Sequence, residues 1–259
     1  MGHHKRRTAI ASAGIGFAIL VIFVQLGFYG AVLHTALAVS ERLNGDLMLI
    51  SPGFVYLGET GEIPKARLFQ ALSQSEVVSA TPLYFRYANW RNTSTGKHCR
   101  FFALAFPLEE NAQGLPVNLP ELKGQIGALR PINSLLLDRY SQADCGPNEG
   151  FSEVEIRGQS SQVVGHFDLG VGFLADGAFV TSDDTFSRLY GNHPLDRPHL
   201  GLLRLEPGSN PERVAEKLRS TLPGDVRVVT RDELNAYQTD HWVSNTAAGN
   251  IFGLGSIAG

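Results

Sequence analysis

HLGLLRLEPGSNPERVAEKLRSTLPGDVRVVT, from His199 to Thr230, has the pattern of a strand, a helix and a second strand. Its two ends are apolar runs rich in leucine and valine, which is typical of buried strands. Between them, Pro211 suits the first position of a helix, and Val214 and Leu218 lie one turn apart on a single face. This stretch therefore predicts a β-α-β unit.

A similar order occurs near the start of the chain. Asp46–Pro52 is a short apolar run ended by proline, Pro64–Ser73 begins as a helix does, and Val77–Trp90 is rich in β-branched and aromatic residues. On a helix, the middle segment places three apolar residues on one face: Leu68, Phe69 and Leu72. Because the two units share their order, we predict that they form two halves of one α/β layer.

The residues between the two units have mostly the pattern of β structure. Glycine-rich turns join apolar runs at Cys99–Phe106, Val154–Arg157, Ser161–Leu169 and Gly177–Thr181. Short helices are expected at Leu119–Leu129 and Asp183–Tyr190, the second capped by Asp183 and Asp184. No low-complexity linker separates these pieces, so we predict a single α+β module with two lobes.

The N-terminal segment is unusually apolar. Thr8–Ser40 contains no Asp, Glu, Lys or Arg, and no proline interrupts it. A membrane helix needs roughly 20 apolar residues and a signal peptide has only about 7–15, so the run is longer than either requires. We predict a membrane helix over Ile10–Leu33 that continues to about Arg42. A cleaved signal peptide and a buried soluble helix are the alternatives.

Charge gives the orientation of this helix. Lys5, Arg6 and Arg7 precede the apolar run, whereas the flank Glu41–Asp46 is slightly acidic. The positive-inside rule therefore puts the N-terminus in the cytoplasm and the residues after the helix outside. Gln25, a polar residue within the span, favours packing against another helix.

The C-terminal segment has a second membrane-type pattern. Arg231–Trp242 reads as a helix, and Val243–Gly259 carries no charge. We predict the start of a second membrane helix, with a disordered glycine-rich tail as the alternative. The predicted divisions are residues 1–41 (cytoplasmic tip and first transmembrane helix), 42–240 (extracytoplasmic domain, two β-α-β units flanking a β-rich lobe) and 241–259 (truncated start of the second helix).

The sequence contains no recognisable catalytic motif. The net charge of −3 on 259 residues does not favour nucleic acid as a partner. Thr95–His98 contains Gly-Lys, but Arg91 stands where a phosphate loop has its first glycine, so we expect a hairpin turn. His193 and His199 match no zinc spacing, and a loop with satisfied histidines is favoured. We therefore predict no enzyme activity and no catalytic, cofactor-binding or metal-binding residues.

The chain has two cysteines, Cys99 and Cys145, in the segment predicted to lie outside the cytoplasm. A disulfide is permitted in that compartment. Two residues are weak evidence for a bond, so we expect unpaired, partly buried thiols.

Several strings of the sequence resemble the DevC branch of the MacB/FtsX-type permeases, which belong to ABC exporters of the heterocyst type. The strings are Ala13–Phe28, Gly45–Pro52, Arg67–Leu72, Ser79–Asn92, Val163–Phe186 and Ile251–Gly255. They are structural in type, so their number and order carry the resemblance. It covers nearly the whole chain.

The resemblance implies a permease subunit in the inner (plasma) membrane that transmits ATPase-driven motion for export of a lipid or other hydrophobic substrate. The implied partners are a separate ATP-binding subunit, a second permease copy as a homodimer, a periplasmic adaptor (membrane fusion protein) and an outer-membrane channel. Such permeases have four membrane helices, and this sequence ends before the loop that docks on the ATPase, so we expect a fragment or a truncated product.

Two alternatives to an exporter stay open: a lipoprotein-releasing permease of the same superfamily, and a membrane-anchored extracytoplasmic sensor or binding module. Only seven residues precede the first apolar run, which disfavours a sensor with a cytoplasmic domain. A transmitting domain needs stiff junctions with the membrane. We expect the first helix to continue unbroken through Ala36–Arg42 and the helix Asp232–Trp242 to run straight to the second span, because both lack proline and flexible linkers.

Overall fold

The computed structural model describes residues 2–109, 114–146, 150 and 152–244. Its helices are α1 (Gly2–Leu37), α2 (Ala66–Ala71), α3 (Asp183–Leu189), α4 (Pro211–Thr221) and α5 (Arg231–Ser244). Its strands are β1 (Leu47–Ile50), β2 (Val77–Arg91), β3 (His98–Phe106), β4 (Ser134–Asp138), β5 (Ser152–Ile156), β6 (Gln159–Phe167), β7 (Gly177–Ser182), β8 (Leu200–Leu205) and β9 (Arg227–Thr230). The short 3-10 segments are Ser40–Arg42, Pro120–Leu122, Ile126–Leu129 and Gly172–Leu174. The predicted α+β class is confirmed.

The two β-α-β units interleave in one sheet, which we call the α/β lobe. Its strand order is β2-β8-β1-β9, and each neighbouring pair is antiparallel. Each unit therefore leaves a gap between its two strands that a strand of the other unit fills. Helices α2 and α4 cover the sheet through buried Leu68, Val214 and Leu218. The predicted pairing of two halves in one α/β layer is confirmed.

The buried face of α2 differs from the prediction. Leu68 and Ala71 are buried against the sheet, whereas Phe69 is 64% exposed and Leu72 is 41% exposed. The helix has only six residues, and close packing of Leu68 against Gly201 of β8 fixes which side faces inward. Phe69 lies about 100° around the helix from Leu68 and points to solvent.

The second lobe, which we call the β lobe, is a closed circuit of pairings. Strands β2, β3, β7, β4, β6 and β5 pair in that order, and β5 returns to β2. Its interior contains Trp90, whose ring stacks on Phe101 at 4.2 Å between centroids. The indole Nε1 of Trp90 donates to the carbonyl of Cys145 at 2.8 Å. Strand β2, with 15 residues, belongs to both lobes.

The two cysteines form a disulfide, so the expectation of free thiols was wrong. Cys99 and Cys145 are bonded with their Cα atoms 6.1 Å apart and a sequence separation of 46. Cys99 lies at the start of β3, and the hydrogen bond from Trp90 holds the turn that carries Cys145. The spacing of the two cysteines along the sequence does not show that they lie close together in the fold.

The cap of α3 also differs from the prediction. The N-cap residue is Ser182, whose hydroxyl accepts from the backbone N–H of Thr185 at 3.1 Å. Asp183 and Asp184 occupy the first turn instead, where carboxylates favourably face the positive end of the helix dipole.

One helix among the described residues is long and apolar enough to cross a membrane, namely Ser12–Leu37 within α1. Apolar side chains from Ile10 to Phe28 are exposed around it. The predicted continuation of this helix to Arg42 was wrong, because α1 ends at Leu37 and a turn and a 3-10 segment follow. The predicted start of a second span falls almost entirely on residues 245–259, which lie outside the described part of the chain.

Candidate functional site

The candidate functional site is the junction where α1 joins the domain. Side chains of α1 change from exposed to buried within one turn, since Phe28 is 49% exposed and Val32 is 4% exposed. Ala36, Val39 and Leu43 are then buried, the last two in a cluster with side chains from both lobes. The segment that follows the membrane-type helix is thus part of the common core of the two lobes.

Arg231, the first residue of α5, ties the two junction segments together. Its guanidinium donates to the carbonyls of Ser40 at 3.3 Å, Leu43 at 2.8 Å and Gly45 at 2.7 Å. Guanidinium has five N–H donors in a fixed fork, so it can satisfy several carbonyls at once. We call this set the Arg231 clamp.

Helix α5 presents a polar and aromatic face to the loop of residues 51–61. The side-chain oxygen of Gln238, which is 1% exposed, accepts from the backbone N–H of Leu57 at 3.3 Å. One turn further on, His241 stacks on Tyr56 at 4.0 Å, and the ring of Trp242 meets Tyr56 edge-on at 5.7 Å. The loop of residues 51–61 therefore holds α5 against the domain.

A second loop, residues 168–176, contacts α1 from the β lobe. Gly172 has φ +55°, and a Cβ there would lie 2.6 Å from the hydroxyl oxygen of Thr35, so the position needs glycine for both reasons. Buried Asp138 shapes the loop, because its carboxylate accepts from the backbone N–H groups of Leu169 at 3.0 Å and Gly170 at 2.9 Å. Burial nevertheless raises the pKa of Asp138.

The junction is built differently from the one predicted. The helix does not run on without a break, but the turn after Leu37 is buried and its carbonyls are held by Arg231. A displacement or rotation of α1 would be passed directly to the core that both lobes share. The geometry suits mechanical coupling between α1 and the domain that follows it.

The two histidines considered in the sequence lie together near Glu62. His193 and His199 are buried with their rings 5.2 Å apart, and these three residues offer ligand atoms within 4.8 Å of one another. However, Arg86 contacts the Nε2 atom of His199 at 3.3 Å and the Glu62 carboxylate at 3.1 Å. The guanidinium takes the place that a metal cation would take, so this donor set does not suit a metal.

Each histidine has a hydrogen-bond partner, and burial determines the charge of His199. The Nε2 atom of His193 lies 2.9 Å from the carbonyl of Arg197, and the Nδ1 atom of His199 accepts from the backbone N–H of Phe85 at 3.3 Å. Burial, with help from Arg86 and His193, lowers the pKa of His199 to about 3. His199 is therefore neutral at physiological pH.

The Gly-Lys pair lies in the hairpin turn between β2 and β3, as predicted. Gly96 has φ +72°, the left-handed conformation such a turn needs. Lys97 forms an ion pair with Asp144 and lowers the pKa of that carboxyl. The lysine thus pairs within the protein, beside the turn that carries the disulfide.

Sequence reasoning missed the residues that make the junction: Arg231, Asp138 and Gln238. One signal was available for the first of them. A cation at the first position of a helix opposes the helix dipole, so an arginine there needs other acceptors nearby. No pattern signal marked the other two.

These features define a class of protein: an α+β domain whose core is continuous with the end of a helix long and apolar enough to cross a membrane. No protein-family model matches the sequence, and no curated protein matches it.

Several solved structures are similar to the chain. One is the periplasmic region of MacB from Actinobacillus actinomycetemcomitans, with a TM-score of 0.49 and 11% identity, covering 80% of this chain and 96% of that one. Another is the extracellular domain of the noncanonic ABC-type transporter YknZ from Gram-positive bacteria, with a TM-score of 0.46 and 8% identity, covering 72% of this chain and all of that one. At these values the likeness is partial.

Proposed function

We propose that the chain is part of the permease subunit of an ABC-type exporter of the MacB/FtsX type. Helix α1 crosses the inner membrane with its N-terminus in the cytoplasm, residues 42–240 form the periplasmic domain, and residues 241–259 begin a second span. The domain passes ATPase-driven motion of the membrane helices to a periplasmic adaptor. The observation that carries this proposal is the burial of the end of α1 in the core shared by both lobes.

Two further observations support the orientation. Lys5, Arg6 and Arg7 precede the apolar helix, which favours a cytoplasmic N-terminus. The disulfide between Cys99 and Cys145 favours an oxidising compartment for the domain, because such bonds are rare in the cytosol. Both observations are independent of any resemblance.

The assembly we propose contains a second permease copy, a separate ATP-binding subunit, the adaptor (membrane fusion protein) and an outer-membrane channel. The substrate is a lipid or another hydrophobic molecule. The chain itself contributes no catalytic step in this proposal, since ATP is bound and hydrolysed by the partner subunit. Its contribution is mechanical and depends on the Arg231 clamp.

The test replaces Arg231 with Gln in the full-length permease, reconstituted with its ATPase and adaptor. Two short charged hydrogen bonds are lost, which lowers the unfolding free energy by about 2–4 kcal/mol. We expect export to fall sharply while ATP turnover by the partner persists. Arg213→Gln is the matched control, because the Arg213 side chain is 68% exposed and lies at 3.9 Å from its carboxylate partner.

A second control separates transmission from stability. The double variant Cys99→Ala/Cys145→Ala loses a comparable amount of stability in the β lobe, away from the clamp. If transmission through the junction matters, export falls much further in Arg231→Gln than in the disulfide variant. Equal losses in both variants, or full export with Arg231→Gln, would contradict the mechanical role.

A further inference from the structure

The height of the domain above the bilayer follows from side-chain exposure along α1. Exposed apolar side chains run from Ile10 to Phe28, and burial by the domain begins at Val32. At 1.5 Å per residue, Ile10 to Phe28 spans about 28 Å, which matches a hydrocarbon core of about 30 Å. The next four residues add about 6 Å, which is close to the thickness of one headgroup layer. No stalk separates the domain from the lipid.

Two loops of the domain lie near this height: residues 168–176, which contact Thr35, and residues 51–61. Arg231 at the start of α5 contacts the carbonyl of Ser40, and Gln238 further along α5 lines the same small cavity as Ala36, so α5 runs back along α1. Trp242 lies one turn beyond Gln238 on α5, and Tyr56 contacts its ring. Tyr56 and Trp242 therefore lie near the level of Val32.

The loop exposes one large apolar side chain, Val55, and also Pro52, Gly53 and the charged Glu59. Val55 follows buried Phe54 and is 39% exposed, and its neighbour Tyr56 is half-buried. A backbone hydrogen bond from Glu59 N–H to the Tyr56 carbonyl, at 2.8 Å, closes the loop behind them. The segment from Ser51 to Ile63 contains no lysine or arginine, so attraction to anionic lipid cannot hold it there.

We propose that the loop around Val55 rests on the headgroup layer of the outer leaflet, with Val55 inserted at the lipid interface and Tyr56 and Trp242 as interfacial aromatics. The inference rests on the proposed membrane crossing by α1 and goes beyond it, because it assigns a lipid-contacting surface to the folded domain. Aromatic rings with one apolar and one polar end favour this layer. Contact at the loop, added to α1, limits the tilt of the domain relative to the bilayer.

The test uses a dye at the loop. Val55→Cys gives a single free thiol, because Cys99 and Cys145 are paired. The full chain, labelled there with the environment-sensitive dye NBD, is reconstituted into phosphatidylcholine vesicles that contain a lipid with a nitroxide near its headgroup. We expect emission to fall at least about twofold relative to vesicles without nitroxide, as for a side chain in the interfacial layer. The quenching should persist at high salt, since the contact is apolar.

The matched control is Glu212→Cys, labelled in the same way. Glu212 is exposed near the start of α4, which follows the Leu205 end of β8. The loop follows the Ile50 end of β1, and β1 and β8 are antiparallel, so the two labels lie at opposite ends of the sheet. If the label at Val55 is quenched no more than the label at Glu212, the proposed lipid contact is wrong. The exposed part of the loop would then be a surface for a protein partner.

A separate measurement distinguishes this outcome from failure of the proposed function. The vesicles are extracted with alkaline carbonate, which removes peripheral proteins and leaves membrane-spanning ones. If the chain stays with the vesicles and the Val55 label is not quenched, only the loop contact is wrong. If carbonate removes the chain, α1 does not cross the membrane, and both proposals fail.

Discussion

Removal of the disulfide should weaken the domain by a magnitude that its position allows us to work out. The bond between Cys99 and Cys145 closes a separation of 46 residues. Loop-closure entropy for that length predicts a loss of about 4 kcal/mol when both cysteines are replaced by alanine. For a domain of this size, such a loss lowers the melting temperature by about 8–16 °C.

The assay is thermal unfolding of the detergent-solubilised chain, followed by near-UV circular dichroism. Trp90 is a suitable reporter, since its ring stacks on Phe101 and its indole donates to Cys145. The wild-type chain treated with a reductant should reproduce the melting temperature of the double variant. Agreement would show that the effect belongs to the bond and not to the alanine side chains.

The same bond reports the compartment of the domain. Cells expressing the full chain are quenched with acid and alkylated, and the chain is examined by non-reducing electrophoresis. We expect the oxidised form, because an extracytoplasmic domain meets an oxidising environment. A drop in melting temperature of less than about 2 °C, equivalent to under 1 kcal/mol, would refute the entropic reasoning. A fully reduced protein in cells would refute the orientation of α1.

Two further predictions concern His199, which lies beside β2, and Gly172, which contacts the end of α1. Because burial lowers the pKa of His199 to about 3 from its usual 6.5, the folded state binds fewer protons than the unfolded chain, and stability should fall as the pH drops below 6.5. The loss of unfolding free energy by pH 5 should be about 2 kcal/mol. Urea titrations of His199→Gln should show an unfolding free energy that depends less on pH over this range. If the pH dependence is the same in the variant and the wild type, His199 is not a buried neutral histidine. Gly172→Ala should cost about 1–3 kcal/mol, because alanine is strained at φ +55° and its Cβ meets Thr35. Gly124→Ala, where a Cβ meets nothing within 4 Å, should change the urea midpoint little, and equal effects of the two substitutions would contradict the contact with α1.

Periodicity and turn residues were sufficient for the α/β lobe. Both proline-started helices and their flanking strands lie close to the predicted positions, because local pattern and burial agree there. Strand β4 was missed. Its short leucine run has no β-branched residue, and pairing with β6 and β7 makes it a strand.

The site was harder to predict than the fold because its contacts are long-range. Arg231 meets carbonyls nearly two hundred positions earlier in the chain. The end of α1 at Leu37 was equally hidden, since the sequence that follows contains no proline or glycine before Gly45. Tertiary burial, and not local propensity, ends the helix there.

The length of β2 has a consequence for how the domain can move. Its first half pairs with β8 in the α/β lobe, and its second half pairs with β3 in the β lobe. A hinge between the lobes would have to bend a continuous strand and open the apolar core that both lobes share. Rotation of one lobe against the other therefore costs free energy, and the two lobes should move as one rigid body. If α1 drives the domain as proposed, the far end of the domain moves further than α1, in proportion to the distance of each from the headgroup layer.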